Sequence, residues 1–281
     1  MRELPGLWRL VTMSPRSGNL RALAQYRVIR TFRKPRSLLI LSRSNQGESK
    51  MAEEKVGSKV LLMVSGGPDS ATLAKVIRES EGSGTQIHGL YLRSGHPSDD
   101  KEIESANKIL KGVGGKLEII DISSTVTALG ASRPMIHSEA SIMPFGNVLV
   151  LSIASTFALR IGAKAIYIAL HKDDADESYE YTEGYMSSIG DLFSSATARA
   201  AKIEAPFINI RKVEVFRKGH ALKVDYSTTW SCIRGREKHC GDCGACRSRR
   251  RAFVQAGFPD PTDYEREPLA IDTVGIEVIS A

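Results

Sequence analysis

The chain has 281 residues, 42% of them hydrophobic and 25% charged, which fits a folded globular domain with appendages and excludes a disordered or fibrous chain. No stretch reaches the roughly 18 consecutive apolar residues of a membrane span. The formal net charge is +7, but residues 1–50 hold 11 Lys and Arg against 2 Asp and Glu, leaving the remainder at −2, so a nucleic-acid partner is not expected for the main domain.

The Arg-rich, acid-poor segment 1–50 reads as a leader without a packed core. Its composition matches an organellar transit peptide, and equally an upstream start placed ahead of the functional one. Met51, followed by Ala-Glu-Glu-Lys and then a strand, is the favoured functional start. From Lys59 strands and helices alternate. Lys59–Val64 is a buried strand that runs into Ser65-Gly-Gly, and residues 69–79 have helical spacing with Leu73, Val76 and Ile77 on one face. A strand over 86–92, a helix over 99–110 and a strand over 116–121 follow. A strongly apolar helix covers 147–161, a strand 165–170 and a helix 180–197. A Pro-interrupted strand over 203–210 and a helix over 213–222 complete the series. Repeated β–α units with unbroken apolar strands predict a doubly wound, mostly parallel α/β sheet covered on both faces. The expected organisation is an α/β domain over 51–225, a cysteine-bearing lobe over 226–267 packed on it, and a tail over 268–281.

Two motifs carry chemistry. Ser65-Gly66-Gly67-Pro68-Asp69-Ser70 lies between the first strand and its helix, where open α/β sheets bind ligands. Two glycines let the backbone wrap an anion, helix-start N–H groups and the hydroxyls of Ser65 and Ser70 can donate to phosphate oxygens, and Asp69 is either a Mg²⁺ ligand or a helix cap. The loop lacks the G-K-[ST] ending of a P-loop and the spacing of a dinucleotide fingerprint. The second motif holds all four cysteines of the chain, Cys232, Cys240, Cys243 and Cys246. A double Cys-x-x-Cys step with a fourth cysteine across a short polar loop is the donor set of tetrahedral zinc. Disulfides would suit a small secreted domain, which this chain is not. With no cysteine left over for catalysis, the zinc is expected to be structural, one ion per chain, in a cytoplasmic protein.

Ser-Gly-Gly-x-Asp-Ser after an N-terminal strand resembles the PP-loop of ATP pyrophosphatases. Val224-Asp-Tyr-Ser-Thr-Thr-Trp-Ser-Cys232, the following cysteines and Ala256-Gly-Phe-Pro-Asp-Pro-Thr-Asp-Tyr264 narrow this to a resemblance to the 7-cyano-7-deazaguanine synthase (QueC) family, over roughly residues 59–264. Further matching stretches are Lys101–Ala106, Pro144-Phe-Gly-Asn147 and Lys212-Val-Glu-Val. The resemblance implies an ATP- and Mg²⁺-dependent carbon–nitrogen ligase that adenylates 7-carboxy-7-deazaguanine for attack by ammonia, a structural zinc and a homodimer. The chain also departs from the family. Tyr91-Leu-Arg-Ser-Gly-His96 replaces Asp-Tyr-Gly-Gln-Arg-His, Gly146 stands in place of an arginine, and Ser178–Glu183 replaces Tyr-Pro-Asp-Cys-Arg-Pro-Glu. These changes leave the nucleotide loop intact and alter the segments that would hold the base and receive nitrogen. Loss of an arginine fork at a carboxylate or phosphate site is not conservative.

Catalytic roles are expected for Asp69 and Lys212, the latter neutralising phosphate charge, with a surface lysine as the plain alternative. The acidic run Asp173-Asp174-Ala-Asp176-Glu177 either binds Mg²⁺, reads a guanine-like edge, or is a solvated helix start. In the base-reading case Asp174 and Glu180 are the readers, with Asn147 as a third substrate residue. His171 is a candidate for proton transfer, His239 is not expected to be a ligand, and Arg247–Arg251 reads as a solvated face or as counter-charge to four thiolates. No activated nucleophile is evident, so direct adenylate chemistry is expected. Two alternatives stand beside it. In one, the adenylated base is joined to an amine of a protein or other macromolecule instead of ammonia, as in a defence system. In the other, the chain is a non-catalytic, zinc-stabilised nucleotide-binding scaffold.

Overall fold

The computed structural model describes residues 57–130 and 146–266. The basic leader over 1–50, the start at Met51, Pro144 and Phe145, and the tail over 268–281 lie outside the described residues. In chain order the elements are β1 (Lys59–Met63), α1 (Pro68–Glu81), β2 (Gln86–Arg93), α2 (Asp99–Lys111), β3 (Lys116–Asp121) and α3 (Ser123–Ala128). They continue with α4 (Gly146–Ile161), β4 (Ala165–Tyr167), α5 (Lys172–Glu177), α6 (Glu183–Ala196), β5 (Lys202–Glu204), α7 (Lys212–Ala221) and α8 (Gly244–Ala256).

The five strands form one sheet in the order β3-β2-β1-β4-β5, and every pairing is parallel. Period-2 alternation divides β1 between two cores. Val60, Leu62 and Val64 face one layer with Leu73, Ala74 and Ile77 of α1, Ile109 and Leu110 of α2 and Val215 of α7. Leu61 faces the other, with Ala154, Phe157 and Ala158 of α4. Helices therefore cover both faces, as the sequence pattern predicts. Because β1 is flanked by β2 on one side and β4 on the other, the chain reverses its direction of winding at β1. The crevice that such a switch point opens lies beyond the C-terminal ends of β1 and β4.

Several boundaries differ from the sequence reading for local reasons. The fourth strand ends at Tyr167 instead of continuing to residue 170. The fifth ends at Glu204, two residues before Pro206, which has no N–H to donate to a ladder. The helix expected from residue 180 begins at Glu183, because Thr182 takes extended backbone and its hydroxyl caps Tyr185 N–H. A separate 3₁₀ turn occupies Tyr179–Tyr181. The acidic run is itself helical, as α5.

The cysteine-bearing lobe is tied to the sheet by polar contacts as well as by packing. Arg249 of α8 is 1% exposed. Its guanidinium donates to Tyr226 O (2.8 Å), to the hydroxyls of Thr229 (2.7 Å) and Ser231 (3.2 Å), and to Thr262 Oγ1 (2.5 Å). Asp260, 3.8 Å from its Nε, is buried to the same degree. The planar fork thus fastens residues 226–231 to α8 and to the segment after it, a geometry that a lysine cannot reproduce. Gly235 packs the lobe against the β2–α2 connection: its φ is +60°, and a Cβ there would sit 1.9 Å from Pro97 O. Arg249→Met is expected to lower the free energy of unfolding by about 3–5 kcal/mol, because Asp260 is left buried without its cation. Arg249→Lys should recover less than half of that. Urea denaturation measures both, and a Met variant within about 1 kcal/mol of the parent would show that the fork contributes only a surface-like contact.

Candidate active site and metal lobe

The loop after β1 is shaped by one residue that has no substitute. Gly66 adopts φ +77°, and a Cβ there would lie 2.4 Å from the backbone carbonyl of Glu102 in α2. Its own carbonyl accepts Trp230 N–H at 2.9 Å, so the loop is held between α2 and the cysteine-bearing lobe. Gly67 is the N-cap of α1 in extended backbone with no side-chain cap, and Pro68 fills the first helical position, where a missing N–H costs nothing. The helix start therefore presents its dipole and N–H groups to the crevice. Ser70 is buried and its hydroxyl donates to Gly67 O (2.9 Å), bracing the loop from within, whereas Ser65 is exposed and its hydroxyl accepts Gly67 N–H (3.4 Å). One turn on, Thr72 Oγ1 meets the Tyr226 hydroxyl at 3.0 Å, a second tie between α1 and the lobe.

A chain of charges crosses the switch point. Lys212, first residue of α7, places Nζ 3.0 Å from Asp69 Oδ2 and 3.4 Å from His171 Nε2. Burial pushes the Lys212 pKa down, but Asp69, Asp174 and Asp173 outweigh it, and the net shift is upward, so the side chain stays an ammonium. Asp173 accepts the Lys212 backbone N–H (2.6 Å) and pairs with Arg211 (2.8 Å). Burial alone would raise its pKa, but these contacts bring it below the ordinary carboxylate value. Asp174 shifts the other way, upward, because burial exceeds the help it receives from His171 and Lys212. The sequence reading places Lys212 and Asp69 143 residues apart, and the fold brings them into contact.

Asp69, Ser70, His171, Asp174 and Lys212 all line one cleft of about 280 Å³, with Tyr91, Glu102, Trp230 and Arg249 on other walls. Asn147 and Glu180 do not line it. They hold each other: Asn147 N–H donates to Glu180 Oε2 (3.1 Å) and Asn147 Nδ2 to Glu180 O (2.6 Å), which fixes the start of α4 to the 3₁₀ turn. Glu177, the last residue of α5, and Tyr181, from the altered stretch, face the cleft instead. Asp174, one of the two expected base readers, is engaged locally, its carboxylate accepting the His171 backbone N–H at 3.0 Å at the start of α5.

Sequence reasoning missed the wall formed by β2 and α2. The Tyr91 hydroxyl lies 2.8 Å from both Asp99 Oδ1 and Glu102 Oε2, and burial raises its pKa far above the usual phenol value. Asp99 Oδ2 accepts three backbone N–H groups, from Ser94, Gly95 and His96. The available signal was the Asp99/Glu102 spacing of three on a helix face, below a tyrosine at a strand end. The run 247–251 reads in sequence as a solvated face or as counter-charge to the cysteines, and nothing in it distinguishes Arg249 as the one that turns inward.

The four cysteines are all buried and none forms a disulfide. Their sulfurs lie within 4.8 Å of one another, and Cys240 and Cys246 are 3.9 Å apart. A tetrahedron with metal–sulfur bonds of about 2.3 Å has edges of about 3.8 Å, so the donor set fits a four-coordinate soft metal. Backbone N–H groups of Cys240, Cys243 and Cys246 point at the sulfurs of Cys232, Cys240 and Cys243, as suits thiolates. His239 is not part of the set. Its Nε2 accepts Ser231 N–H (3.1 Å) and its ring packs on Trp230; burial lowers its pKa to about 4, keeping it neutral.

Comparison with known proteins places the sequence. The family model described as "Queuosine biosynthesis protein QueC" matches residues 59–257. The 7-cyano-7-deazaguanine synthase of Methanosphaerula palustris is 33% identical over 224 residues, 74% of this chain and 99% of its own length. The 7-cyano-7-deazaguanine synthase 1 of Colwellia psychrerythraea is 30% identical over 222 residues, 75% of this chain and 100% of its own. Solved structures are more distant, such as a U34-tRNA thiolase from Methanococcus maripaludis at a TM-score of 0.45 and 18% identity, covering 61% of this chain and 59% of its own. The family match covers most of the chain, and the two relatives align over almost their entire length: the chain belongs to the QueC family.

Proposed function

We propose that this chain is an ATP-dependent carbon–nitrogen ligase that activates the carboxylate of 7-carboxy-7-deazaguanine. The observation that carries the reading is the meeting of the Ser65–Ser70 loop, Asp69 and Lys212 at the switch point of a QueC-family sheet. A substrate carboxylate oxygen attacks the α-phosphorus of ATP, the α–β anhydride bond breaks and pyrophosphate leaves. Nitrogen then attacks the acyl carbon, the acyl–oxygen bond breaks and AMP departs. Lys212 and the start of α1 stabilise the charge that moves onto pyrophosphate. Asp69 is the residue that would hold Mg²⁺, whose charge would offset the phosphates. Asp174, through its local pairing, and Asn147 with Glu180, as a wall brace, support the acceptor side.

In the same reading the four thiolates hold zinc, which supplies folding free energy and no chemical step. A second reading, in which the acceptor is an amine of a macromolecule, is favoured by the altered Ser178–Glu183 segment. There Tyr181 lines the cleft while Tyr179, two residues away, is 75% exposed.

Incubation with ATP, 7-carboxy-7-deazaguanine and ammonia, followed by mass spectrometry, should yield the amide or the nitrile together with AMP and pyrophosphate. A deazaguanine adduct on a co-expressed protein, with no small-molecule product, would replace ammonia by a macromolecular amine. No ATP turnover with either acceptor would leave a binding scaffold. Asp69 does not cap α1, whose N-cap is Gly67 with no side-chain bond, and its carboxylate is instead paired with Lys212. Asp69→Asn should reduce pyrophosphate release by about 10²–10³-fold in a chain that still folds, as read by circular dichroism. Unchanged release would leave Asp69 a structural partner of Lys212 alone.

Elemental analysis should find one zinc per chain, and Cys243→Ser should abolish metal binding and unfold at least the lobe, since structural zinc contributes on the order of 10–16 kcal/mol in small modules. Iron with acid-labile sulfide in place of zinc, or a metal-free chain that stays folded, would overturn the assignment.

A further inference from the structure

An ammonium has three N–H donors, and they must be aimed if one is to meet a phosphate oxygen. Lys212 lies with Asp69 Oδ2 at 3.0 Å and His171 Nε2 at 3.4 Å, so two of its protons have protein acceptors and one is left for a ligand in the cleft. We propose that His171 is a positioning residue for Lys212, with Asp174 selecting the imidazole tautomer that makes this possible. The inference rests on the ATP-binding part of the proposed function and not on the identity of the acceptor.

The geometry constrains the protons. His171 is buried, its side chain 4% exposed, and its ring is faced by Asp174 and Asp173 of α5 and Lys212 of α7. Beyond Lys212 lies Asp69 of α1. A neutral imidazole donates from one nitrogen and accepts at the other. Lys212 can only donate, so the Nε2 that faces it must be the acceptor, and the proton sits on Nδ1. There Asp174 Oδ2 receives it at 3.2 Å, with Asp173 Oδ2 farther off at 3.7 Å.

The opposite tautomer would let Nδ1 accept the Asp174 backbone N–H, 3.3 Å away, but would point Nε2–H at an ammonium. Asp69 and Asp174 keep Lys212 charged, which disfavours that arrangement. A helix cap alone would require only the near end of this side chain, and Asn or Ser caps better than His. The far end, Nε2, reaches the catalytic lysine. Carboxylate, imidazole, ammonium and carboxylate thus form a line from α5 through α7 to α1, and the ring sets where the ammonium points.

Two substitutions separate capping from positioning. His171→Asn supplies a side-chain acceptor for the Asp174 N–H, so the start of α5 stays capped, and deletes the group facing Lys212. His171→Gln is longer and can bring its amide oxygen to the place of Nε2. In the full chain, binding of a non-hydrolysable ATP analogue with Mg²⁺ is measured by calorimetry, beside pyrophosphate release and melting temperature. A hydrogen bond to a charged group is worth about tenfold to a hundredfold. His171→Asn is therefore expected to lose about that much in analogue affinity and kcat/KM while staying folded, and His171→Gln to recover most of the loss.

In a Lys212→Ala background, His171→Asn should have no further effect, since the two act through one contact. A folded Asn variant that matches the wild type, a Gln variant as impaired as the Asn variant, or additive losses in the Lys212→Ala background would each overturn the proposal. The binding measurement needs no turnover, so a chain that binds the analogue and makes no product fails the proposed reaction alone, with His171 still decided by the variants. A wild-type chain that does not bind the analogue overturns both.

Discussion

The backbone at Gly66 is confined from two directions, and the site depends on that confinement. On one side the loop presses on the Glu102 carbonyl, leaving no room for a Cβ; on the other, its own carbonyl is held by the Trp230 N–H. An anion cradle made of backbone N–H groups works only if those groups are aimed before the anion arrives, because reorienting them would consume binding energy. Here the aiming is done by α2 and by a segment that precedes the first cysteine. The cysteine-bearing lobe thus helps to shape the loop at the cleft, although none of its cysteines lines the cleft.

This coupling gives a reason for the polar groups buried around residues 226–232. Residues 226–232 form no helix or strand beyond one short 3₁₀ turn, so their backbone groups need other partners. Arg249 supplies several of them, and the Trp230 indole adds another by donating to Cys232 O (2.7 Å). A buried guanidinium is costly unless its fork is nearly filled, and here it is. The outcome is a rigid irregular segment, fastened at one end by four thiolates and at the other by Tyr226 against α1 and α7.

Across the cleft the logic is electrostatic. Asp69, Lys212, His171, Asp174 and Asp173 come from three helices whose first turns converge on the ends of β1 and β4. The ammonium at the centre is held charged and oriented by carboxylates on both sides.

Much of this was legible in the sequence. The alternation of apolar strands and amphipathic helices determines a parallel sheet, since strands buried on both faces can be covered only by crossover helices. The glycine pair after β1 and the Cys-x-x-Cys steps declare their chemistry through short-range spacing, which needs no tertiary information. Element boundaries differ where one residue decides them: Thr182 as a helix cap, Pro206 beyond a strand end. What only the tertiary structure decided are the long-range encounters. Lys212 meeting Asp69, Trp230 reaching Gly66, Arg249 turning inward while its neighbours in the same run stay closer to solvent, and Asn147 pairing with Glu180 instead of facing the cleft all depend on how separated segments pack. A local sequence pattern records which face of an element is apolar. It does not record which polar residue of a distant element will be pressed against it, because that choice is made by the packing of the whole sheet and its layers.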